Sequence, residues 1–198
     1  NSNPYIIPRS NIQRSEASYL GWRTFDVGDY HIMSYIFGAI VNLLFDGFNL
    51  FIQQQDELHI ASIKDVLDIN SADKTYISTG DLFDREPRRL LLSEEGQIGC
   101  SFKYHGMLTP YGYLVVDKDR KRVFLIYGDK PMEISAIKGE QYFMNKIATN
   151  DIRVGYDGVN KRVFVHFLTD KDSISFNTIK NLWVSHHDYR INWAITNR

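Results

Sequence analysis

The segment 117–127, DKDRKRVFLIY, recurs with few changes at 157–167, where the sequence is DGVNKRVFVHF. Both copies keep the leading aspartate, the run Lys-Arg-Val-Phe and an aromatic residue at the end, and the similarity extends to Ile-Ser pairs at 134–135 and 174–175. A shift of about 40 residues is the period of small four-stranded antiparallel sheets that stack as propeller blades. The repeat therefore predicts an all-β fold of β-propeller-like blades.

The apolar pattern of the first copy predicts a strand that is covered on both faces. Val123, Leu125 and Tyr127 alternate with Phe124 and Ile126, so neither face of the strand is polar. Strands with two apolar faces are buried on both sides. In stacked sheets the neighbouring sheets supply that cover.

The composition is that of a globular domain rich in β structure. The chain has 198 residues, of which 43% are hydrophobic and 14% aromatic, and aromatic side chains favour pleated, half-buried surfaces. A formal net charge of −1 without a basic stripe argues against a dedicated DNA-binding domain. The single cysteine, Cys100, excludes an internal disulfide. The longest apolar run, 32–44, is interrupted by polar residues and is shorter than the roughly 18 residues that span a bilayer.

The chain divides into an extended N-terminal arm, residues 1–30, and a β-propeller-like domain, residues 31–198. We expect blades at about 36–63, 64–138 with a long loop, and 150–190, and a short helix at 140–147 between the last two blades. The predicted strands are 40–45, 48–53, 57–63, 113–116, 121–127, 132–135, 152–156, 161–167, 173–176 and 182–185, with one or two more within the long loop at 64–100. The pair Asp46-Gly47 predicts a hairpin between the first two strands. Because the sequence opens at Asn1 without a methionine or a signal-peptide pattern, we expect it to be part of a larger or processed protein.

Residue types that support metal binding or catalysis are present but lack recognisable spacing. The adjacent His186 and His187 point to opposite faces of a strand and cannot bind one ion together. A glycosidase needs two carboxylates that face each other across a sugar. Acidic residues for this role occur in two loops, at Asp81, Asp84 and Glu86, and at Asp26 and Asp29. Since the Asp-box, the phosphate-binding loop and the nucleophile elbow are all missing, we expect no catalytic residue, no metal and no cofactor.

Two short basic clusters, Arg88-Arg89 and 118–122, are expected to be solvated hairpin tips. The repeated Lys-Arg pairs at 121–122 and 161–162 are then charges at the ends of scaffold strands. We do not expect either cluster to be a binding site.

The densest aromatic group near the C-terminus comprises Trp183, His186, Tyr189 and Trp193, with His187 beside them. Flat rings of this kind either present a platform to a sugar or pack as a seam that closes the last blade. Because aromatic clusters are more often core or interface than ligand sites, we favour the seam.

Several short motifs follow one another in a recognisable order. They are Gly80-Asp81-x-Phe83 ahead of Pro87, Gly96-x-x-Gly99, Thr109-Pro110-Tyr111-Gly112-Tyr113, Glu133-Ile134-Ser135 and Trp183-x-Ser185. This order resembles the tail nozzle (muzzle) and head-to-tail stabilisation proteins of short-tailed bacteriophages, especially crAss-like phages. The likeness covers most of residues 20–190, and it departs from the family at Cys100-Ser101, where a Gly-Thr/Ser-Gln type run is expected.

The resemblance implies a virion structural protein that forms a ring of subunits around the DNA exit channel, without catalytic activity. Its partners would be other copies of itself and other tail proteins. DNA would pass without tight binding, which agrees with the near-neutral charge because each neutralised phosphate adds affinity. The protein would be made in the host cytoplasm and would reside in the tail of the virion.

Two alternatives come from other functional classes. The aromatic group around Trp183 and Trp193 favours a carbohydrate-binding propeller for attachment to a host-surface glycan. The acidic loops favour, less strongly, a propeller glycosidase.

Overall fold

The structure, a computed structural model, consists almost entirely of antiparallel β-strands, and it confirms the all-β class. It describes residues 3–10, 25–62, 64–70, 73–78, 82–83, 85–91 and 97–188, with the backbone alone for 64–70 and 73–78. The described strands are β1 (Ile6–Pro8), β2 (Tyr30–Ile32), β3 (Ile40–Phe45), β4 (Asn49–Gln54), β5 (Leu58–Ser62), β6 (Lys64–Asn70), β7 (Asp73–Ser78), β8 (Arg88–Arg89), β9 (Gly106–Thr109), β10 (Gly112–Asp117), β11 (Arg122–Tyr127), β12 (Lys130–Glu133), β13 (Ile152–Asp157), β14 (Arg162–Phe167), β15 (Asp172–Asn177) and β16 (Leu182–His187).

Most of these strands form three four-stranded sheets in chain order. The first sheet has the order β3-β4-β5-β8, the second β9-β10-β11-β12 and the third β13-β14-β15-β16. The hairpin β6–β7 is inserted between β5 and β8, so the first sheet takes its fourth strand from Arg88–Arg89. One or two strands were predicted within 64–100, and the structure has three there, because β8 is too short to produce an alternating pattern.

The second sheet is buried on both faces, as the pattern of 123–126 predicted. One face contributes Leu114, Val116, Val123 and Leu125 to a core cluster shared with the third sheet. The opposite face contributes Tyr113, Val115, Phe124 and Ile126 to a cluster shared with the first sheet. Tyr127 differs from the prediction, because it lies at the end of β11 and is 71% exposed.

The 40-residue repeat aligns hairpins and not whole sheets. It places β10 and β11, the second and third strands of their sheet, over β13 and β14, the first and second strands of theirs. Aligned residues such as Val123 and Val163 belong to the same core cluster. The two copies therefore contribute equivalent apolar residues to one seam between the second and third sheets.

The first and fifth residues of the repeat form the turns of these hairpins. The Asp157 carboxylate accepts hydrogen bonds from the backbone N–H groups of Val159 (2.9 Å) and Asn160 (3.2 Å). Lys161 ends the turn in the left-handed conformation with φ 54°, and Lys121 does so with φ 59°. The side-chain cap and the left-handed residue together close a four-residue connection. The third sheet repeats this geometry, with six-residue strands that begin every ten residues at 152, 162, 172 and 182.

The helix α1, Glu140–Thr149, confirms the predicted helix between the last two sheets. It buries Phe143 and Ile147 in the seam between those sheets. Arg122 links the helix to the second sheet, because its guanidinium lies 2.7 Å from Glu133 and 3.5 Å from Glu140. In the repeated Lys-Arg pair at 121–122, Lys121 therefore closes the turn and Arg122 forms the ion pairs.

The first sheet is covered on its outer face by the N-terminal strand pair. Ile7 of β1 and Met33, just after β2, pack with Ile52 and Ala61 in a third core cluster. Part of the predicted arm, residues 11–24, lies outside the described residues.

Candidate functional site

Trp183 lies in the seam between the second and third sheets. Its indole Nε1 donates a hydrogen bond of 2.8 Å to the carbonyl oxygen of Ile134. Its ring packs against Phe143, with ring centroids 4.5 Å apart, and edge-on against Phe176 at 5.1 Å. These contacts use both the polar edge and the faces of the indole, so Trp183 is committed to packing.

His186 lies on the same face of β16 but near solvent, with its ring edge-on to Tyr142 at 5.4 Å and its Nδ1 3.7 Å from Asp172. Its side chain is 61% exposed. A cavity of about 290 Å³ lies between these residues and Gly139. Tyr189 and Trp193, the other members of the predicted aromatic group, lie outside the described residues.

An ion cluster fixes α1 beside this cavity. The Lys146 ammonium lies 2.7 Å from Asp170 and 3.2 Å from Asp172. The hydrogen bond from Lys146 lowers the pKa of Asp170, and the same hydrogen bond raises the pKa of Lys146. The cluster therefore joins the helix to the β14–β15 turn.

The opposite face of the third sheet carries a network of serine and histidine side chains. His166 Nδ1 lies 2.7 Å from Ser173 Oγ, and Ser185 Oγ lies 2.8 Å from Ser175 Oγ and 2.9 Å from His187 Nε2. His187 thus faces away from His186, as predicted. A serine beside a histidine is the arrangement of a nucleophile and its base. However, Ser173 and His166 are 1% and 2% exposed, so a substrate has no access and the pair acts as a buried polar link.

Two of the acidic residues that favoured a glycosidase lie beside basic side chains of the same chain. Glu86 lies 3.5 Å from His31 Nε2, and Asp29 lies 3.7 Å from Arg9. Asp81 and Asp84 lie outside the described residues. Within the described part of the chain, no group of three or more His, Cys, Asp or Glu side chains is placed to hold a metal ion.

Arg89 differs from the predicted solvated hairpin tip. It lies in β8, where it pairs with the fully buried carboxylate of Glu57 and covers the ring of Phe37 at 4.7 Å. His59 Nε2 is 3.9 Å from the same carboxylate. Burial, followed by the charge of Arg89, lowers the pKa of His59 to about 4. Arg89 is therefore a structural anchor under the first sheet, whereas the neighbouring Arg88 is 61% exposed.

A concave surface of about 900 Å³, rich in aromatic residues, lies between the first and second sheets. The β3–β4 hairpin supplies Phe45 and Phe48, and the second sheet supplies Pro110 and Tyr127, with Tyr156 from the third sheet at one side. The rings of Phe45, Phe48 and Tyr127 are all substantially exposed. We call this surface the aromatic groove.

The carboxylate of Asp46 and the hydroxyl of Thr109, both in the lining of the aromatic groove, are used by its own turns. The Asp46 carboxylate accepts hydrogen bonds from the backbone N–H groups of Phe48 (2.8 Å) and Asn49 (2.6 Å). Thr109 Oγ1 donates to the carbonyl oxygen of Gly112 at 2.8 Å. The groove therefore offers mainly ring faces, a chemistry that suits apolar side chains.

Sequence patterns are present in both walls of the groove, but they did not predict that the two walls lie side by side. Asp46-Gly47 predicted the hairpin, and Thr109–Gly112 belongs to one of the motifs of the resemblance. Gly112 has φ 124°, and a Cβ atom there would lie 2.3 Å from the carbonyl oxygen of Ile126. Only glycine fits this approach of β10 to β11. The two walls are about 60 residues apart in sequence, so only the packed sheets bring them together.

No protein-family model matches the sequence, and none of the curated proteins is significantly similar to it. In the described part of the chain, no helix has the length and apolar character needed to cross a membrane.

Proposed function

We propose that this protein is a structural subunit of a bacteriophage tail nozzle or hub, with a propeller-like domain that forms part of the DNA exit channel. The observation that supports this proposal best is the series of stacked four-stranded sheets, with the second sheet buried on both faces. Sheets stacked in this manner make a rigid wall, because each sheet is held by its neighbours. The order of short motifs supplies the link to tail proteins.

The use of the charged and aromatic residues supports a scaffold role. Arg89, Arg122 and Lys146 form ion pairs with carboxylates of the same chain. Trp183 is committed to the seam, and the His166–Ser173 pair is buried. With a net charge of −1, the chain provides no long-range attraction for DNA phosphates.

The proposal is tested on the virus particle whose genome encodes the chain. We expect mass spectrometry of purified, nuclease-treated particles to detect the protein at a constant number of copies per capsid. A short epitope inserted at Val159, which is 90% exposed at the tip of the β13–β14 turn, should allow antibody labelling at the tail. The same epitope inserted at Ile179, at the tip of the β15–β16 turn, is the matched control, and it should be labelled at the same place. Absence of the protein from infectious particles would show that the proposal is wrong.

The second candidate is carbohydrate binding for host attachment. Exposed rings in the aromatic groove favour it, because sugars stack on such rings. The use of the Asp46 carboxylate and the Thr109 hydroxyl in turns opposes it, because sugar sites also need hydrogen-bonding groups.

A further inference from the structure

The two Lys-Arg-Val-Phe copies use their arginines differently. In the first copy, Arg122 Nη1 lies 2.7 Å from one carboxylate oxygen of Glu133, and the Ser135 hydroxyl donates a hydrogen bond of 2.9 Å to the other oxygen. An arginine and a serine thus hold one carboxylate between them. Hydrogen bonds between ionised groups are about twice as strong as those between neutral groups.

The second copy has a hydroxyl group where the first has this carboxylate. Glu133 is the residue opposite Phe124 in the β11–β12 pair, and Ser175 is the residue opposite Phe164 in the β14–β15 pair. Phe124 and Phe164 are the aligned phenylalanines of the repeat. The third sheet therefore has a serine at the position from which the second sheet supplies the carboxylate partner of its arginine.

Arg162, the arginine of the second copy, has no carboxylate partner among the described residues. Within that part of the chain its guanidinium donates one hydrogen bond, from Nη1 to the Ser185 hydroxyl at 3.4 Å, and its buried Nε has no acceptor. A buried N–H without an acceptor is unfavourable, so an added acceptor would be stabilised there. Other arginines of the chain do lie beside carboxylates, namely Arg9, Arg88, Arg89, Arg120, Arg122 and Arg153.

The acidic residue next to Arg162 in the strand register does not replace the missing partner. Asp157 is opposite Arg162 in the β13–β14 pair, but both of its carboxylate oxygens serve the turn. One oxygen accepts from the backbone N–H groups of Val159 and Asn160, and the other accepts from the side-chain amide of Asn160 at 2.6 Å. Most of the five N–H donors of the guanidinium are therefore left for another acceptor.

Further polar groups surround this guanidinium. Ser185 Oγ lies 2.8 Å from Ser175 Oγ and 2.9 Å from His187 Nε2, and the ring of His187 packs on that of Phe164 with centroids 5.3 Å apart. Ser175 is fully buried, whereas Arg162, Ser185 and His187 are half-buried. A guanidinium, hydroxyl groups and an imidazole thus meet at one partly open point of the sheet. We call Arg162, Ser175, Ser185 and His187 the arginine–serine site.

We propose that the arginine–serine site binds a carboxylate group from outside the chain, in the manner in which Arg122 and Ser135 hold Glu133. The guanidinium supplies the positive charge, and the serine hydroxyls donate further hydrogen bonds. The carboxylate belongs either to a small organic acid or to an acidic side chain of another protein, since both present the same group. The site goes beyond the proposed function, and it gives Arg162 a role other than the strand-end charge expected from the sequence.

The test is a titration of the purified chain with acetate, followed by NMR, with chloride adjusted to keep the ionic strength constant. We expect the amide signals of Ser185 and His187 to shift in a saturable manner, with a dissociation constant in about the millimolar range. Arg162→Gln should weaken binding about tenfold or more. The matched control, Arg88→Gln, removes an exposed arginine that already has a carboxylate partner, and it should leave the affinity unchanged.

A second variant supplies the carboxylate from within the chain. Ser185→Asp places a carboxylate beside Arg162, as Glu133 lies beside Arg122, so acetate binding should be lost although the arginine remains. Circular dichroism verifies that each variant is folded. The inference is overturned if the shifts grow linearly up to about 100 mM acetate, or if folded Arg162→Gln or Ser185→Asp binds acetate as the wild type does.

Two further titrations identify the ligand more closely. A capped peptide with a single central glutamate represents an acidic side chain of a protein. If it binds about tenfold more tightly than acetate, the ligand is such a side chain, whereas equal affinities assign the site to a small organic acid. Inorganic phosphate is the competing anion. If phosphate binds about tenfold more tightly than either carboxylate, the assignment of the site to carboxylates is wrong.

Discussion

Lys161 ends the β13–β14 turn with φ 54°, a conformation in which the Cβ atom of an ordinary residue is crowded by the backbone. Glycine has no such penalty, although it also makes the unfolded chain more flexible. We expect Lys161→Gly to raise the free energy of unfolding by up to about 1 kcal/mol, and Lys161→Val to lower it by about 1–2 kcal/mol. Urea unfolding measures both changes.

The matched control is Val159→Gly, in the same turn but without a positive φ. It should destabilise the protein, because glycine adds only flexibility to the unfolded chain there. If Lys161→Gly and Val159→Gly change the free energy of unfolding equally, the left-handed conformation of Lys161 does not cause the effect.

The buried histidines make stability depend on pH. Burial lowers the pKa of His166, His59 and His105 from 6.5 to about 4. Between these values the unfolded chain binds protons that the folded chain excludes, so the free energy of unfolding falls as the pH drops below 6.5. We expect a loss of about 1–2 kcal/mol per histidine between pH 7 and pH 5.

Replacement of His166 by asparagine tests this dependence. Asparagine can keep a hydrogen bond to Ser173 but does not titrate, so His166→Asn should reduce the slope of stability against pH. Urea unfolding from pH 5 to pH 8 gives the slopes of stability against pH. Identical slopes for wild type and His166→Asn would show that His166 does not contribute to the pH dependence.

Among the elements, the two-residue strand β8 depends most on a single ion pair. Arg89→Ala would leave the carboxylate of Glu57 fully buried without its cation. We expect a loss of about 2–4 kcal/mol, against less than about 1 kcal/mol for Arg88→Ala, whose ion pair with Asp129 is exposed. Chemical denaturation of both variants is the measurement.

The partner residue provides a check on the cause. Addition of Glu57→Gln to Arg89→Ala removes the unpaired charge, so the double variant should be more stable than Arg89→Ala alone. If the second substitution has no effect, the loss comes from packing of Arg89 on Phe37 instead.

The strands also differ in how well they could be predicted from the sequence. Alternation along 122–127 and 162–167, together with the Asp-Gly hairpin signal, predicted most strands to within two residues. The β6–β7 insertion and β8 were not resolved as separate strands, because their pairing depends on partners elsewhere in the chain. The groove and the Glu57–Arg89 pair were not predicted, because each joins residues that are distant in sequence. Trp183 was expected in a seam, but its hydrogen-bond partner, the backbone of Ile134, leaves no trace in a sequence.

At the scale of the whole molecule, the second sheet couples the other two, because its opposite faces contribute to both large core clusters. Phe51→Ala, in the cluster of the first sheet, and Phe167→Ala, in that of the third, should each cost about 3–5 kcal/mol. We expect both to shift one common transition in calorimetry. Two separate transitions in either variant would show that the sheets unfold independently.

The ten-residue spacing of the third sheet bears on how such a chain lengthens in evolution. Strand direction reverses every ten residues, and the residues of the inner face change from even positions, such as Val154, to odd positions, such as Val163. A duplicated stretch of about ten codons would therefore turn apolar residues outward, whereas about twenty codons would add a complete hairpin with both faces conserved. Val154 and Ile174, twenty residues apart, share the inner face in this manner. The hairpin is thus the smallest heritable unit by which a gene of this design can grow, and the shift between the two Lys-Arg-Val-Phe copies equals two such units.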